Sequence, residues 1–292
     1  MNAVSVVVRS CNDMRWIDAT MSRILSQSLA GLDMEIVNVD SGSTDGTYEY
    51  LQRVNPRGTY RRRAEDYVPG RVLNEAVNRC RGDIVVFNNS DCIPLNAEWL
   101  TALIRPLLGE PAAAATFGRQ VARADAWPFI RREYERSFAD TPPPPAWGHF
   151  FSLATSAARR QTLLRHPFDP SLQFSEDIEW SYRIVRQGGT LAYAPLARVE
   201  HSHNYTLHQT RRRFEGEGYA EGAIFQTHRR FVRHVLRAVC ADWFRDSMYC
   251  LSRGRPAAVC HALAYRAVQK QAAYDGNRRY HAQRQTAQGV KE

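Results

Sequence analysis

The sequence is poor in several features that assign proteins to familiar classes. Lysine occurs only twice, at Lys270 and Lys291. No uncharged apolar run reaches the roughly 18 residues of a membrane-spanning helix, and the N-terminus lacks the basic start and long apolar core of a signal peptide. None of the six cysteines belongs to a C-x-x-C pair, so no zinc site or disulfide framework is indicated. We therefore expect a cytoplasmic protein without a transmembrane helix.

The chain is instead rich in apolar residues and in arginine. Its 292 residues are 44% hydrophobic and 24% charged, which is enough for one large α/β domain or for a domain with an appendage. The net charge of +9 favours anionic partners: nucleic acid, a lipid surface or phosphorylated small molecules. Arginine suits oxyanion binding, although genome composition explains its excess equally well.

Strand-like and helix-like segments alternate from residue 3 to about residue 118. The strand-like runs are AVSVVVR, MEIVNVD, DIVVFNN and AAAATFGRQ, and segments with helical periodicity separate them. Continuous apolar strands between helices predict a mostly parallel sheet that is covered on both faces. In such sheets ligands bind beyond the carboxyl ends of the strands.

The second half of the chain changes character twice. The proline run TPPPPAW (141–147) predicts a surface crossing or a loop over the site, and TLAYAPLARVEHSHNYT predicts two short strands. From about Leu207 the chain predicts helices rich in arginine and aromatic residues, with a break at SRGRPAA. Their basic faces suit an anionic membrane, and their apolar faces suit packing or a dimer surface. We therefore divide the chain into residues 1–206 and a basic, amphipathic helical region, residues 207–292.

Two polar motifs follow strand-like runs. In D-S-G-S-T-D-G-T, which begins at Asp40, small residues allow a ligand close to the backbone, and Asp40 is able to accept hydrogen bonds from a base or ribose. Turn chemistry, with Thr44 or Asp45 capping the next helix, explains the same residues. In F-N-N-S-D-C-I-P, Asp91 is placed to hold a divalent cation on a diphosphate, or to form an Asx-type turn.

Two further motifs come later in the chain. Glu176 and Asp177 open a predicted helix, with Ser175 as an N-cap, and Asp177 is a candidate general base. Compensation of the helix dipole explains these acids as well. In V-E-H-S-H-N-Y, His201 and His203 point to the same face of a predicted strand. Two interpretations are open for these histidines. Either they are ligands of a metal ion, or they are polar residues of an edge strand.

In this order the motifs resemble the family 2 glycosyltransferases, which have the GT-A fold, and they are most similar to the bacterial rhamnosyltransferase-like branch. The segments that carry the resemblance are VSVVVRSCND, VDSGSTDGT, GRVLNEAVNRCRGDIVVFNNSDCIPLNAEWL, PFDPSLQFSEDIEWSYRIVRQG and VEHSHNYTLHQ. The resemblance covers roughly residues 3 to 215. The resemblance implies an α/β chain with a mostly parallel central sheet flanked by helices and a helical C-terminal appendage. Residues 1–206 would form the catalytic domain.

The resemblance also implies roles for individual residues. Nucleotide-sugar contacts would come from Ser10, Asn12, Asp40, Asn74, Asn89 and Glu176. A divalent cation, Mg²⁺ or Mn²⁺, would bind at Asp91 with His201 or His203, and Asp177 would be the catalytic base. One departure stands out, because Asn89 replaces the first acid of the D-x-D metal motif. Metal binding would then rest more heavily on Asp91, the diphosphate and a histidine.

The implied activity is an inverting transfer of a sugar from a nucleotide-diphosphate sugar, either dTDP-rhamnose or a UDP-hexose. The acceptor would be a hydroxyl of a glycan or a lipid-linked molecule in surface polysaccharide synthesis. Peripheral contact with the inner face of the plasma membrane and homo-oligomerisation are further expectations. Asn89 motivates an alternative, a catalytically inactive scaffold with the same fold. The basic charge motivates another, a nucleic-acid-binding protein, but no RNP, KH or zinc-finger motif is present and no nucleic-acid partner is expected.

Overall fold

The computed structural model describes residues 3–29, 31–110, 112–140 and 148–289. These residues form two compact units. The first unit contains residues 3–122, 136–171 and 176–201, and the second contains residues 123–135, 172–175 and the chain from residue 202 onward. The proline run at 141–147, predicted to be a surface crossing or a loop over the site, lies outside the described residues.

The strands all belong to the first unit. They are β1 (Ala3–Ser10), β2 (Asp33–Asp40), β3 (Thr59–Arg61), β4 (Ile84–Asn89), β5 (Ile93–Pro94), β6 (Ala113–Val121), β7 (Thr155–Arg159) and β8 (Thr190–Glu200). The α-helices are α1 (Met14–Leu25), α2 (Thr47–Val54), α3 (Pro69–Arg79), α4 (Trp99–Gly109), α5 (Pro128–Ser137), α6 (Arg160–Arg165), α7 (Glu176–Arg186), α8 (Leu207–Phe225), α9 (Ala238–Ser252) and α10 (Ala258–Gly289). A 3₁₀ turn spans Ala64–Asp66, and a π-helical segment spans Val232–Arg237.

The strands form one sheet in the order β3-β2-β1-β4-β7-β6-β8-β5. The neighbours from β3 to β4 are parallel, as are β6 and β8, whereas β7 is antiparallel to both β4 and β6, and β5 is antiparallel to β8. The mostly parallel sheet expected from the sequence is therefore confirmed. Its parallel half brings the carboxyl ends of β1, β2 and β4 to a single edge.

Burial on both faces of the sheet explains the continuous apolar strands. Val6 and Val7, which are adjacent in β1 and point to opposite faces, are both buried. Helix α1 buries Ile17, Met21 and Ile24, which recur at helical spacing on one side. Removing this apolar surface from water is the main force that holds the first unit together.

The prediction of two short strands after residue 190 is wrong in part. A single strand, β8, covers Thr190–Glu200, and its pairing with β6 shifts register between Ala194 and Arg198. Pro195 lies in that interval and lacks the N–H that a regular ladder would use, which accounts for the irregularity. The strand ends at Glu200, so His201 and His203 follow it and do not lie within it.

The second unit is built from helices. Helix α8 begins after Thr206, whose side chain and that of Gln209 form a reciprocal capping box. Helices α8 and α10 pack closely enough to require glycine, because a Cβ on Gly218 would lie 2.0 Å from the carbonyl oxygen of Ala273. The predicted break at SRGRPAA is confirmed between α9 and α10. The division at residue 206 stays a prediction.

Among the described residues, no helix combines the length and the apolar character that crossing a bilayer would need.

Candidate active site

The carboxyl ends of β1, β2 and β4 bring several predicted residues to one edge of the sheet. In the strand register Ser10 is opposite Asp40, and Arg9 is opposite Asn89. This is the edge at which parallel α/β sheets bind ligands. Ser10, Asp40 and Asn89 therefore lie at one edge, and their contacts with a nucleotide-sugar stay a prediction.

Asp40 is fully buried, and its carboxylate organises the loop that comes after it. One oxygen accepts hydrogen bonds from the backbone N–H groups of Gly42 (3.1 Å) and Ser43 (2.9 Å). The other accepts from the hydroxyls of Ser10 (3.1 Å) and Ser43. Arg61 lies nearby, with its Nε 3.9 Å from the carboxylate. The turn interpretation explains these contacts, and a contact between Asp40 and a nucleotide stays a prediction.

Glycine and asparagine fix the shape of this loop. Gly42 has a φ of 84°, and a Cβ there would lie 2.9 Å from the backbone nitrogen of Ala64. Asn12, in the left-handed region with a φ of 56°, accepts a hydrogen bond from the N–H of Thr44 at 2.8 Å. Its own N–H donates to the hydroxyl of Ser43. Asn12 thus ties the end of β1 to the loop after β2.

Asp45 has the local structural role that the sequence favoured for it. Its carboxylate accepts hydrogen bonds from the N–H and hydroxyl of Thr47 at the start of α2, and from the N–H of Met14 at the start of α1. Burial acts to raise the pKa of Asp45, but these hydrogen bonds outweigh it and lower the pKa below its usual value. Asp45 therefore stabilises the starts of two helices.

Asn74 was predicted near the nucleotide, and the structure gives its side chain a different task. The amide lies on α3 and donates to the carbonyl of Phe168 at 2.8 Å, while its oxygen accepts from the N–H of Phe168 at 2.9 Å. This reciprocal pair fastens α3 to the segment before α7 and occupies both ends of the amide.

Arg9 connects two of the predicted residues and was missed by the sequence analysis. Its guanidinium forms an ion pair with Glu176 at 3.0 Å and donates to the side-chain oxygen of Asn89 at 3.4 Å. Glu176, predicted as a sugar contact, is thus the partner of a largely buried arginine. Because Asn89 is neutral, the Arg9 charge is balanced by Glu176. The signal in the sequence was a basic residue ending the apolar run AVSVVVR.

Asp177 has the electrostatics of a general base. Burial and then the neighbouring charge of Glu176 raise its pKa to about 7, although hydrogen bonds from the N–H groups of Ile178 and Leu153, and the charge of Arg9, oppose the rise. A carboxylate with a pKa near the working pH is both ionised and basic enough to accept a proton. Ser175, just before α7, has a φ of 61°, and its role as an N-cap stays a prediction.

Asp91 lies opposite a histidine whose orientation is fixed by hydrogen bonds. The Nε2 atom of His201 is 3.5 Å from a carboxylate oxygen of Asp91, and both residues are buried. The Nδ1 atom of His201 is 2.7 Å from the side-chain oxygen of Gln120, and the Gln120 amide nitrogen donates to Ser152 at 2.9 Å. Gln120 therefore holds the ring of His201 at Nδ1, and Nε2 is the ring nitrogen directed at Asp91.

The Asp91 carboxylate and the two late histidines fit the donor set of a divalent cation. Asp91, His201 and His203 each offer one ligand atom, and these atoms lie within 4.8 Å of one another. His203 follows His201 by two residues along the chain. The strand alternation used to group the histidines was wrong, since β8 ends before them. Gln120, which fixes the ring of His201 in the manner of a metal ligand's partner, was missed.

Asp13 is a third acid at this edge that the sequence did not select. It accepts hydrogen bonds from the hydroxyl of Ser90 and from the N–H of Cys11. Burial raises the pKa of Asp13, with smaller contributions from the charges of Asp91 and Asp45. Asp13 therefore lies close enough to Asp91 to add negative charge to the end of β4.

A family model gives the decisive comparison, because the glycosyl transferase family 2 model matches residues 5–168. The match covers more than half of the chain. The chain belongs to glycosyl transferase family 2. The resemblance stated from the sequence is thereby confirmed, and the chain is a nucleotide-sugar glycosyltransferase.

A curated relative and two solved structures agree with the family. The chain is 25% identical over 222 residues, 72% of this chain and 69% of the relative, to the O-antigen chain rhamnosyltransferase RfbN of Salmonella typhimurium. It is similar in fold, at 18% identity, to the mannosyltransferase PcManGT of Pyrobaculum calidifontis in complex with GDP-Man and Mn²⁺. The TM-score is 0.65, over 95% of this chain and 86% of that one. It is also similar in fold, at 19% identity, to glucosyl-3-phosphoglycerate synthase of Mycobacterium tuberculosis in complex with Mn²⁺ and UDP-Glc. Here the TM-score is 0.53, over 76% of this chain and 79% of that one. The GT-A fold is therefore confirmed.

Proposed function

We propose that this family 2 enzyme is an inverting glycosyltransferase that moves a sugar from a nucleotide-diphosphate sugar to a hydroxyl of a glycan or lipid-linked acceptor. The observation that carries the proposal is the arrangement of Asp91 and His201, with Nε2 directed at the carboxylate and Nδ1 held by Gln120. It lies at the edge of the sheet where parallel α/β sheets bind ligands. A pair of oriented ligands there suits a cation on a diphosphate.

For the cation we favour Mn²⁺ over Mg²⁺. Mg²⁺ prefers a shell made of oxygen atoms, whereas Asp91 and His201 offer an oxygen and an imidazole nitrogen, and His203 offers a second nitrogen. Both structural neighbours hold Mn²⁺. When bound, the cation would offset the charge that develops on the leaving diphosphate. Asn89 is neutral and would not balance any of the positive charge of the cation.

For the proton transfer we assign Asp177 as the general base. The acceptor oxygen attacks the anomeric carbon from the face opposite the diphosphate, the bond to the diphosphate oxygen breaks, and the proton of the hydroxyl passes to Asp177. A pKa of about 7 keeps the carboxylate largely ionised above neutrality. Arg9 and Glu176 hold the start of α7 beside the end of β4, which orients Asp177 through its own helix.

For the donor we favour dTDP-rhamnose, with a UDP-hexose as the rival. The support is the 25% identity to an O-antigen chain rhamnosyltransferase. The structural neighbours carry GDP-Man and UDP-Glc, so the fold itself accommodates several nucleotides. A role in surface polysaccharide synthesis, a cytoplasmic location with peripheral contact with the inner face of the plasma membrane, and homo-oligomerisation belong to the same proposal.

The test is a thermal-shift panel with UDP, dTDP and GDP, each with and without Mn²⁺, on the wild type and on Asp91→Ala. A ligand that binds only the folded protein raises its melting temperature by mass action. We expect one nucleotide to stabilise the wild type in a Mn²⁺-dependent manner, and Asp91→Ala to lose that dependence. Asp45→Ala is the matched control, because this acid serves the helix starts and should leave the shift intact.

The opposite results select among the alternatives. If no nucleotide shifts the wild type, the active enzyme is contradicted and the inactive scaffold, motivated by Asn89, becomes the better account. If nucleic acid retains the protein in excess nucleotide-sugar and the retention falls with salt, the basic charge serves nucleic-acid binding.

A further inference from the structure

The second unit exposes an apolar stripe along α9 and the π-helical segment before it. Val232, Leu236, Phe244, Met248 and Leu251 are 59%, 50%, 66%, 56% and 54% exposed. Their spacing of three or four residues, with the exposed Cys240 at the intervening step, places them on one side of the helix. Single exposed apolar residues are common, but a continuous row of this length marks an interaction surface.

The opposite side of the same helix is firmly packed. Cys250 and Asp246 are fully buried, and Asp246 accepts hydrogen bonds from Arg266 at 2.7 Å and from Arg132 at 3.0 Å. Trp243 donates its indole N–H to the carbonyl of Val259. The row of five exposed apolar residues, hereafter the α9 stripe, is therefore presented outward by a helix whose orientation is fixed within its unit.

The charge around the α9 stripe has one dominant sign. Residues 226 to 260 contain seven arginines and two aspartates. Asp246 is buried, and Asp242 pairs with Arg245 and Lys270. Two of the arginines, Arg229 and Arg253, pair with Glu221 and Glu135. Arg233 and Arg237 are exposed beside the first residues of the stripe. The apolar row is thus bordered by cationic side chains.

This combination favours a lipid surface over a second copy of the chain. A two-fold contact would place the same face of both copies together and bring the arginines of each copy toward those of the other. An anionic bilayer instead takes the apolar side chains into the boundary between headgroups and acyl chains, while arginines meet lipid phosphates. An in-plane helix needs no membrane-spanning length.

We propose that the α9 stripe lies in the interfacial layer of a bilayer that carries anionic lipids, with Phe244 and Met248 as its deepest residues and Arg233 and Arg237 on the headgroups. This deepens the peripheral membrane contact that forms part of the proposed function, and it names the face and the lipid class. It does not depend on the transfer chemistry.

The test is flotation of the full-length protein with vesicles of phosphatidylcholine alone, or with phosphatidylglycerol added, at low and high salt. We expect binding to the anionic vesicles that weakens with salt. The double variant Phe244→Ser/Met248→Ser should lose at least roughly tenfold in affinity, because two apolar side chains no longer leave water. Leu196→Ser, which removes a leucine 64% exposed on β8, is the matched control and should bind as the wild type does.

Three outcomes would overturn the inference. The first is that the wild type does not bind anionic vesicles, and the second is that the double variant binds them as tightly as the wild type. The third is that the double variant differs from the wild type in oligomeric state, measured by light scattering. The last result would assign the stripe to a second copy. Nucleotide-dependent thermal shifts on the same variants separate this inference from the enzyme proposal. A variant that keeps its nucleotide-dependent thermal shift but no longer binds vesicles supports the membrane role of the α9 stripe. A protein that floats with vesicles but shows no thermal shift contradicts only the transferase proposal.

Discussion

Two aspartates at neighbouring strand ends, Asp40 after β2 and Asp91 after β4, have opposite surroundings. The oxygens of Asp40 accept hydrogen bonds from their own loop and from Ser10. Asp91 instead faces the Nε2 atom of His201 across 3.5 Å. An acid saturated by local N–H and O–H groups shapes a loop, whereas an acid beside an imidazole nitrogen whose ring is held by a second residue has the environment of a metal ligand. The same residue type at the same sheet edge thus supports two functions.

The largest effect is expected at Asp177, whose basicity comes from burial and from the neighbouring charge of Glu176. Asp177→Asn should lower kcat by roughly 10²- to 10⁴-fold, the usual contribution of a general base. Nucleotide-dependent thermal shifts should persist, because no donor contact is removed. Steady-state kinetics beside the shift assay check this. Unchanged turnover would remove Asp177 from the mechanism.

The raised pKa of Asp177 also predicts a pH dependence of stability. The folded value of about 7 lies above the ordinary 3.8, so between these values the folded state binds more protons than the unfolded state. Stability conferred by the protonated form is then lost as pH rises from about 4 to about 7. Asp177→Asn should gain melting temperature over the wild type at pH 8, and the gain should shrink toward pH 4. A pH-independent difference would contradict the raised pKa.

Substitution of Asp40 should affect the stability of the fold more than nucleotide binding. Asp40→Ala leaves several buried donors of the loop without an acceptor, at a cost of roughly 1–3 kcal/mol in the free energy of unfolding. Urea unfolding measures that cost. Asp45→Ala, which removes the acceptor at two helix starts, should cost about 1 kcal/mol. If Asp40→Ala proved as stable as the wild type, the comparison of the two strand ends would fail.

Gln120, the hydrogen-bond partner of His201, should affect the affinity for the metal more than the stability of the fold. Gln120→Ala frees the ring of His201, and the Mn²⁺ affinity should fall by about 10- to 100-fold, as for other partners of metal ligands. Gln120→Glu retains an acceptor for Nδ1 and should recover most of the affinity. Isothermal titration with Mn²⁺ in the presence of the nucleoside diphosphate reads this out without turnover. Equal affinities in all three proteins would leave Gln120 as an ordinary packing residue.

The smallest effect on nucleotide binding is expected at Asn74. Asn74→Ala loses two hydrogen bonds to the backbone of Phe168 and should cost about 1–3 kcal/mol in stability. Nucleotide affinity should change by less than threefold, which separates this structural role from the contact predicted by the sequence. A selective loss of nucleotide affinity in a stable Asn74→Ala protein would restore the original prediction.

Apolar periodicity and the order of the family's motifs predicted the parallel strands, and with them the edge that gathers Ser10, Asp40 and Asn89. The contacts of individual side chains could not be predicted in this way, because they join residues distant in the chain. Arg9 meets Glu176 across 167 positions, and Asn74 meets Phe168 across 94. Gln120 reaches His201 only because β6 and β8 are neighbours, a pairing that no local pattern encodes.

The central claim is that Asp91 and His201 hold a divalent cation, and electron paramagnetic resonance of Mn²⁺ tests it most directly. The free-ion signal is followed as the protein is titrated with Mn²⁺ in the presence of the nucleotide that stabilises it. We predict one site in the wild type, its loss in Asp91→Asn, weaker binding in His201→Gln, and retention in Asp45→Ala. Undiminished Mn²⁺ binding by Asp91→Asn would contradict the claim and move the cation site away from the end of β4.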